Sequence, residues 1–210
     1  MIYPKQNSAI FWFFRRYVKW IVRRQFCEVK FDTIEVDKNR SVLLIANHFS
    51  FWDALILFCV NDVLFRKKFH VMILESTSKR EKFLKYGGAF SVNKSSRDLV
   101  QSLDYATDLL KDPGNLVLMF PQGKLYSNFV EHIHFEKGVH RIIKTLPASA
   151  FQTIFAATFV QYFKHKKPTA TVYLKSINDN FADKAPGELQ SAYQRHYDAS
   201  KRLQTEIDIN

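Results

Sequence analysis

The sequence predicts an α/β domain: a mostly parallel mixed sheet flanked by helices, preceded by an N-terminal amphipathic helix at a membrane interface. Three observations predict it. Unbroken apolar runs of strand length stand at 41–46 (SVLLIA), 70–74 (HVMIL) and 116–120 (LVLMF), the pattern of strands covered on both faces. Segments of helix length separate them, as at 97–110, where Leu99, Leu103, Ala106 and Leu110 share one side. Third, 47% of the 210 residues are hydrophobic and 20 are Phe, enough for the core of one domain.

Taken in order, residues 9–26 read as a helix. Arg15, Arg16, Lys19 and Arg23 fall within about one 100° arc. Ile10, Phe14, Tyr17, Val18 and Ile21 lie on the other side, and Trp12 falls on the basic arc. A basic face beside an aromatic-rich apolar one is the composition of a helix lying in a membrane surface. Phe11, Phe14, Arg15, Arg16, Lys19, Trp20 and Arg23 are therefore the expected lipid contacts. The alternative is a core-facing helix with a solvated basic side. This gives a membrane-binding segment at 1–30 and an α/β domain at 31–210.

After the strand at 41–46 comes a mostly apolar helix at 51–64, then the strand at 70–74. A short basic helix at 78–86 is stopped by Gly87-Gly88. A strand at 89–92, the helix at 97–110 and a turn at 112–115 follow. The strand at 116–120 is ended by Pro121-Gln122-Gly123. Strands at 153–162 and 169–176 are joined by a Lys-rich turn at 164–168, and a polar helix covers 189–207. No repeat and no linker interrupts the domain.

Charge narrows the function. Lys and Arg number 31 against 20 Asp and Glu, a formal net charge of +11, which implies an anionic partner. Residues 1–30 carry seven basic groups and one acid, and residues 66–85 carry seven and two. With six Gly, six Pro and 15% aromatics the chain is neither collagen-like nor disordered. No run of about 18 uncharged apolar residues makes it polytopic. Nucleic acid is not expected, because the aromatics sit among apolar residues and no recognition motif occurs. Cys27 and Cys59 form neither a disulfide framework nor a zinc pattern, and read as reduced thiols. His132, His134 and His140 fit no standard ligand spacing, so no metal is expected. The apolar N-terminal stretch is cut by Arg15, Arg16 and Lys19, unlike a cleavable signal.

In α/β sheets, chemistry gathers where strands end. The strand at 41–46 runs into Asn47-His48-Phe49-Ser50-Phe51-Trp52-Asp53. A carboxylate at Asp53 can hold the His48 tautomer and stabilise its imidazolium. Equally, Ser50-x-x-Asp53 reads as a capping box for the next helix. The strand at 116–120 runs into Phe120-Pro121-Gln122-Gly123-Lys124. There Gly admits close backbone approach, Gln122 can donate and accept, and Lys124 can meet an anion.

In this order the motifs resemble the lysophospholipid and glycerolipid acyltransferase family, of the bacterial 1-acylglycerol-3-phosphate acyltransferase type. His48 and Asp53 match its His-x4-Asp motif. Gly88-Ala89-Phe90-Ser91-Val92-Asn93-Lys94 matches the second block, Phe120 to Lys124 the third, and Phe135-Glu136-Lys137-Gly138 the element that follows it. The likeness spans roughly residues 40–165. Lys94 stands where the family has Arg, Gln122 where it has Glu, and Lys124-Leu125 where it has Thr-Arg. The strand near 154–159 lacks the family's Pro.

The resemblance implies an acyltransferase moving a fatty acyl group from acyl-CoA or acyl carrier protein to a hydroxyl of a lipid-like acceptor. No cofactor is needed beyond that co-substrate. His48 would be the general base and Asp53 its orienting partner. Lys94 and Lys124 would hold acidic acceptor groups, Gln122 an acceptor hydroxyl, and Asn93, Gly88 and Gly123 would line the site. Backbone N–H groups at 121–124 would receive the oxyanion. The helix at 51–64 would line an acyl groove. The enzyme would lie peripherally or monotopically at the cytoplasmic face of the cell membrane. The altered blocks leave two alternatives: a non-glycerophosphate acceptor (an amino-acid lipid, an aryl or polyene hydroxyl), or a non-catalytic membrane or acyl-carrier-binding module.

Overall fold

The computed structural model describes residues 2–5, 7–92 and 96–207. It has the expected α/β architecture. Helix α1 (Ser8–Gln25) leads into β1 (Glu28–Phe31), β2 (Ser41–Ala46), α2 (Trp52–Val60) and β3 (Lys68–Leu74). Helix α3 (Glu75–Arg80), β4 (Ala89–Val92), α4 (Ser96–Leu109), β5 (Asn115–Met119) and α5 (Gly138–Thr145) follow. Strands β6 (Phe151–Gln161) and β7 (Thr169–Ile177) precede α6 (Pro186–Thr205). One sheet runs β1-β7-β6-β2-β5-β3-β4, antiparallel only between β6 and β7.

The central strands are buried on both faces, so alternate residues feed two cores. Val42, Leu44 and Ala46 of β2 join Leu116 and Leu118 of β5 against α2 and α1. Leu43 and Ile45 join Val117 and Met119 against α4, α5 and α6. Helix α2 is apolar all round, with Leu55, Ile56, Leu57, Phe58 and Val60 all buried. A helix of that kind needs cover on its outer side. Helix α1 supplies it with Phe14, Val18 and Val22, and the Phe14 and Phe58 rings meet edge to face at 5.4 Å.

Several elements differ from expectation. The helix at 51–64 becomes α2 plus a π turn over Asn61–Phe65, closed by Arg66 at φ 55°. Asn61 stabilises that exit, its amide donating to Lys67 O (2.9 Å) and accepting from Lys67 N–H (3.3 Å). The basic helix at 78–86 divides into α3 and a 3₁₀ segment, Lys82–Gly87. Strand β1 (EVKF) and helix α5 (GVHRIIKT) were not expected. Charged Glu28 and Lys30 interrupt any apolar run in β1, and α5 is too short to establish a helical period.

The turn into β4 depends on Gly88. Its φ is +92°, and a Cβ there would lie 1.8 Å from the Phe69 carbonyl oxygen. Gly88→Ala is expected to destabilise the fold by about 3 kcal/mol or more, because both backbone conformation and packing oppose it. Gly187, early in α6, has nothing within 4 Å of that position. Gly187→Ala is expected to stabilise by about 0.5–1 kcal/mol through helix propensity. Urea unfolding of the two variants checks both signs.

Candidate active site

The parallel strands β2, β3, β4, β5 and β6 end along one edge of the sheet. As β2 leaves it, Asn47 clamps the chain to β6: its Nδ2 donates to Thr158 O (3.0 Å) and its Oδ1 accepts from Thr158 N–H (2.8 Å). The next residue is His48. Its Nδ1 lies 2.8 Å from Asp53 Oδ2. Asp53 is fully buried, and the same Oδ2 accepts the N–H groups of Phe49 (2.7 Å) and Ser50 (2.9 Å). Oδ1 accepts the Ser50 hydroxyl at 2.7 Å, and Ser50 Oγ accepts Trp52 N–H at 3.1 Å. The capping reading and the histidine-orienting reading therefore describe one carboxylate, fixed by four donors.

Phe120 stacks on the His48 ring, centroids 4.1 Å apart and planes tilted 16°. With Nδ1 engaged, Nε2 is the nitrogen left for chemistry, and the side chain keeps 26% of its surface open. Such an imidazole can take a proton from a hydroxyl placed against Nε2 and return it to a leaving group.

The Phe120–Lys124 loop clasps His48 from behind. Gln122 Oε1 accepts His48 N–H (2.7 Å) and Tyr126 N–H donates to His48 O (3.0 Å). Gln122 is only 1% exposed. This corrects its expected role: its carbonyl oxygen serves the His48 backbone rather than an acceptor hydroxyl. Glu136 N–H ties the loop to Pro121 O at 2.8 Å. Gly123, at φ +65°, would set a Cβ 3.1 Å from Glu136 Cγ. Its N–H turns inward to Phe120 O (3.2 Å) and is withdrawn from the oxyanion donors. Gln122→Ala is expected to lose about 1–3 kcal/mol by orphaning a buried N–H, with activity falling alongside. Gln122→Glu keeps the acceptor and should retain both; thermal melts and turnover of the pair check this.

Of the other expected contacts, Lys124 is exposed, its ammonium 5.1 Å from the Tyr126 ring centroid. Asn93 and Lys94 lie outside the described residues. Gly88 precedes β4, level with Leu43 of β2, and makes the turn into that strand. A groove of about 600 Å³ starts at Phe120 and Pro121 and runs between Met72, Leu74, Val92 and Leu103, with Glu136, Lys137 and Arg141 on its rim. Helix α2, expected to line an acyl groove, is largely buried under α1 and does not line that groove; its Cys59 and Val60 border a separate pocket of about 330 Å³ with Val22, Phe26 and Val29. Asn47 and Phe120 stood in the motifs, but their clamp and stacking needed the sheet order to become visible. Tyr193 of α6 gave no sequence signal; it is fully buried and donates to Ala156 O at 2.7 Å.

A family model described as acyltransferase matches residues 28–159, the stretch that carries His48, Asp53 and Gln122. This chain belongs to the acyltransferase family. No curated protein sequence matches this acyltransferase. Its fold is similar to the crystal structure of the 1-acyl-sn-glycerophosphate (LPA) acyltransferase PlsC from Thermotoga maritima. The TM-score is 0.63 at 16% identity, over 96% of this chain and 80% of that one.

Helix α1 of the acyltransferase corrects one expected lipid contact. Phe14 faces inward, against Phe58, Phe83 and Gly87. Arg15 and Lys19 both bind Asp62, the latter at 2.7 Å. Burial pushes the Asp62 carboxyl up, but hydrogen bonds from Arg15 and Lys19 outweigh it and hold it below the usual range. The outward aromatics are Trp12, Phe13, Tyr17 and Trp20, with Phe11 at the margin. Arg16 sits 4.9 Å over Trp12, and Arg24 5.3 Å over Trp20. Arg23 is exposed. No described helix is long and apolar enough to cross a membrane. The second basic patch divides: Lys67 Nζ donates to Pro113 O (2.7 Å) at one edge, while Lys79 and Arg80 follow β3 at the catalytic edge.

Proposed function

We propose that the enzyme transfers a fatty acyl group from a thioester donor, acyl-CoA or acyl carrier protein, to a hydroxyl of a lipid-like acceptor such as a lysophospholipid. The observation that carries this is the His48 Nδ1–Asp53 Oδ2 contact of 2.8 Å, with Phe120 stacked on the ring and lining an apolar groove. His48 Nε2 takes the acceptor's hydroxyl proton as that oxygen attacks the thioester carbonyl. Asp53 holds the ring and stabilises the imidazolium. The tetrahedral centre collapses, the C–S bond breaks, and the imidazolium proton passes to the departing thiolate. Pro121 has no N–H and that of Gly123 is engaged, so the Gln122 and Lys124 amides are the oxyanion donors. The groove beside Phe120 receives an acyl chain. The outward aromatics and Arg16, Arg23 and Arg24 of α1 hold the enzyme peripherally on the cytoplasmic membrane face.

A second reading concerns the acceptor. Leu125 is exposed where the family carries Arg, and no bidentate phosphate grip replaces it among the described residues of that loop. A hydroxyl on a non-phosphorylated lipid is the alternative acceptor. The test incubates the protein with acyl-CoA or acyl carrier protein and either lysophosphatidic acid or a neutral lysolipid, and follows thiol release and ester formation by mass spectrometry. Ester formation dependent on His48 is expected. Donor turnover that is absent with every pair, or unchanged in His48→Ala, overturns the proposal.

A further inference from the structure

The β6–β7 hairpin has a feature that catalysis does not use. Ala46, the last residue of β2, pairs with Ala156, yet β6 continues to Gln161. That is about 16 Å of extended chain beyond the end of β2, so the hairpin tip overhangs the edge where His48 sits. Its turn, 162–167, reads YFKHKK, with three lysines and no acid. Tyr162 is 60% exposed. Lys166 and Lys167 are exposed, and neither meets a carboxylate among the described residues. The loop after β5 stands alongside: Asn128 Nδ2 donates to Val160 O (3.4 Å), Tyr126 N–H to His48 O (3.0 Å). That loop carries Phe129, 81% exposed, and Leu125, 54% exposed.

A soluble protein has no use for a bare Phe, Leu and Tyr grouped with lysines at one end of a sheet. Aromatic side chains at headgroup depth with lysines beside them are the composition of an interfacial contact with anionic lipid. A dock for an acidic carrier protein would need the cations but not the aromatics.

We infer that the overhanging hairpin tip (Tyr162, Lys166, Lys167) and the neighbouring loop (Leu125, Phe129) form a second membrane contact that seats the catalytic edge on an anionic lipid surface. It lies next to the C-terminal end of α1, where Cys27 N–H donates to Pro168 O at 2.8 Å. Helix α1 then gives residence on the bilayer, and the hairpin gives orientation, turning His48 and the groove mouth toward the lipid from which substrates come.

The test is sedimentation of the full chain with vesicles of phosphatidylcholine alone or mixed equally with phosphatidylglycerol. Lys166→Glu with Lys167→Glu should weaken binding to the mixed vesicles about thirtyfold or more and leave Lys166→Arg with Lys167→Arg at parental affinity. Tyr162→Ser with Phe129→Ser should weaken binding on the order of tenfold. Thermal melts should match the parent throughout, since all four side chains are outside the core. Parental vesicle affinity in both the charge-reversal and the serine variants overturns the inference, as does a parent chain that binds neither vesicle. Loss of turnover with a carrier-protein donor alone, at unchanged vesicle affinity, assigns the surface to the carrier and overturns it too. Vesicle binding is read without turnover, so failure of the acyl-transfer reading shows separately, as absent ester formation with vesicle affinities still following the hairpin variants.

Discussion

His48→Ala is expected to lower acyl transfer by about 10³-fold while the protein stays folded. The expectation rests on what the ring touches. Its Nδ1 meets Asp53 and one face meets Phe120 at 4.1 Å, but about a quarter of the side chain is open, at 26%. Removing it leaves Asp53 with the Phe49 and Ser50 N–H groups and the Ser50 hydroxyl, so no buried charge is orphaned. The backbone contacts from Gln122 and Tyr126 do not involve the ring. Stability should fall by about 1 kcal/mol at most. Thiol release from an acyl thioester in the presence of acceptor, with a thermal melt on the same sample, measures both. Turnover within about tenfold of the parent would remove His48 from the role of base.

The framework was legible in the sequence where physical necessity writes it there. Strands covered on both faces must be apolar throughout, so β2 and β5 announced themselves. A histidine and a carboxylate at a strand end can reach each other over a four-residue spacer, and they do. What the sequence does not carry is which of several faces meets protein. The helical wheel set Phe14 and Tyr17 on one side, yet Phe14 turns inward because α2 is apolar all round and needs cover, while Tyr17 stays outside. Gln122 is a polar residue after a Pro, which suggested a ligand contact. It turns inward because His48 N–H, beyond the last paired residues of β2, has no ladder partner and needs an acceptor. Strand β1 escaped notice because an edge strand may alternate charged residues, and its pairing with β7 spans more than a hundred residues. Asn47 is a plain loop residue until β6 is known to lie beside β2.

The dual use of Asp53 makes the sharpest test, because a helix cap and a histidine orienter fail differently. Asp53→Asn keeps one oxygen for the donors now on Oδ2 and presents an NH₂ to Ser50 Oγ, which can accept it. The fold should survive with a loss of about 1–2 kcal/mol. The chemistry should not: with its oxygen kept toward Nδ1 the neutral amide accepts that N–H more weakly than a carboxylate and cannot offset the imidazolium charge. Turnover is expected to fall about 10³-fold or more, with little change in KM. Ser50→Ala is the counterpart. It removes the hydroxyl that caps Trp52 N–H and bonds Asp53 Oδ1, at about 1 kcal/mol of stability. It leaves the Nδ1–Oδ2 contact of 2.8 Å untouched, so activity should stay within about tenfold. Matched urea unfolding and steady-state turnover of the two variants separate the roles. If activity in both tracks stability alone, Asp53 is a cap and His48 has no orienting partner; if turnover collapses only in Asp53→Asn, the buried carboxylate holds the base.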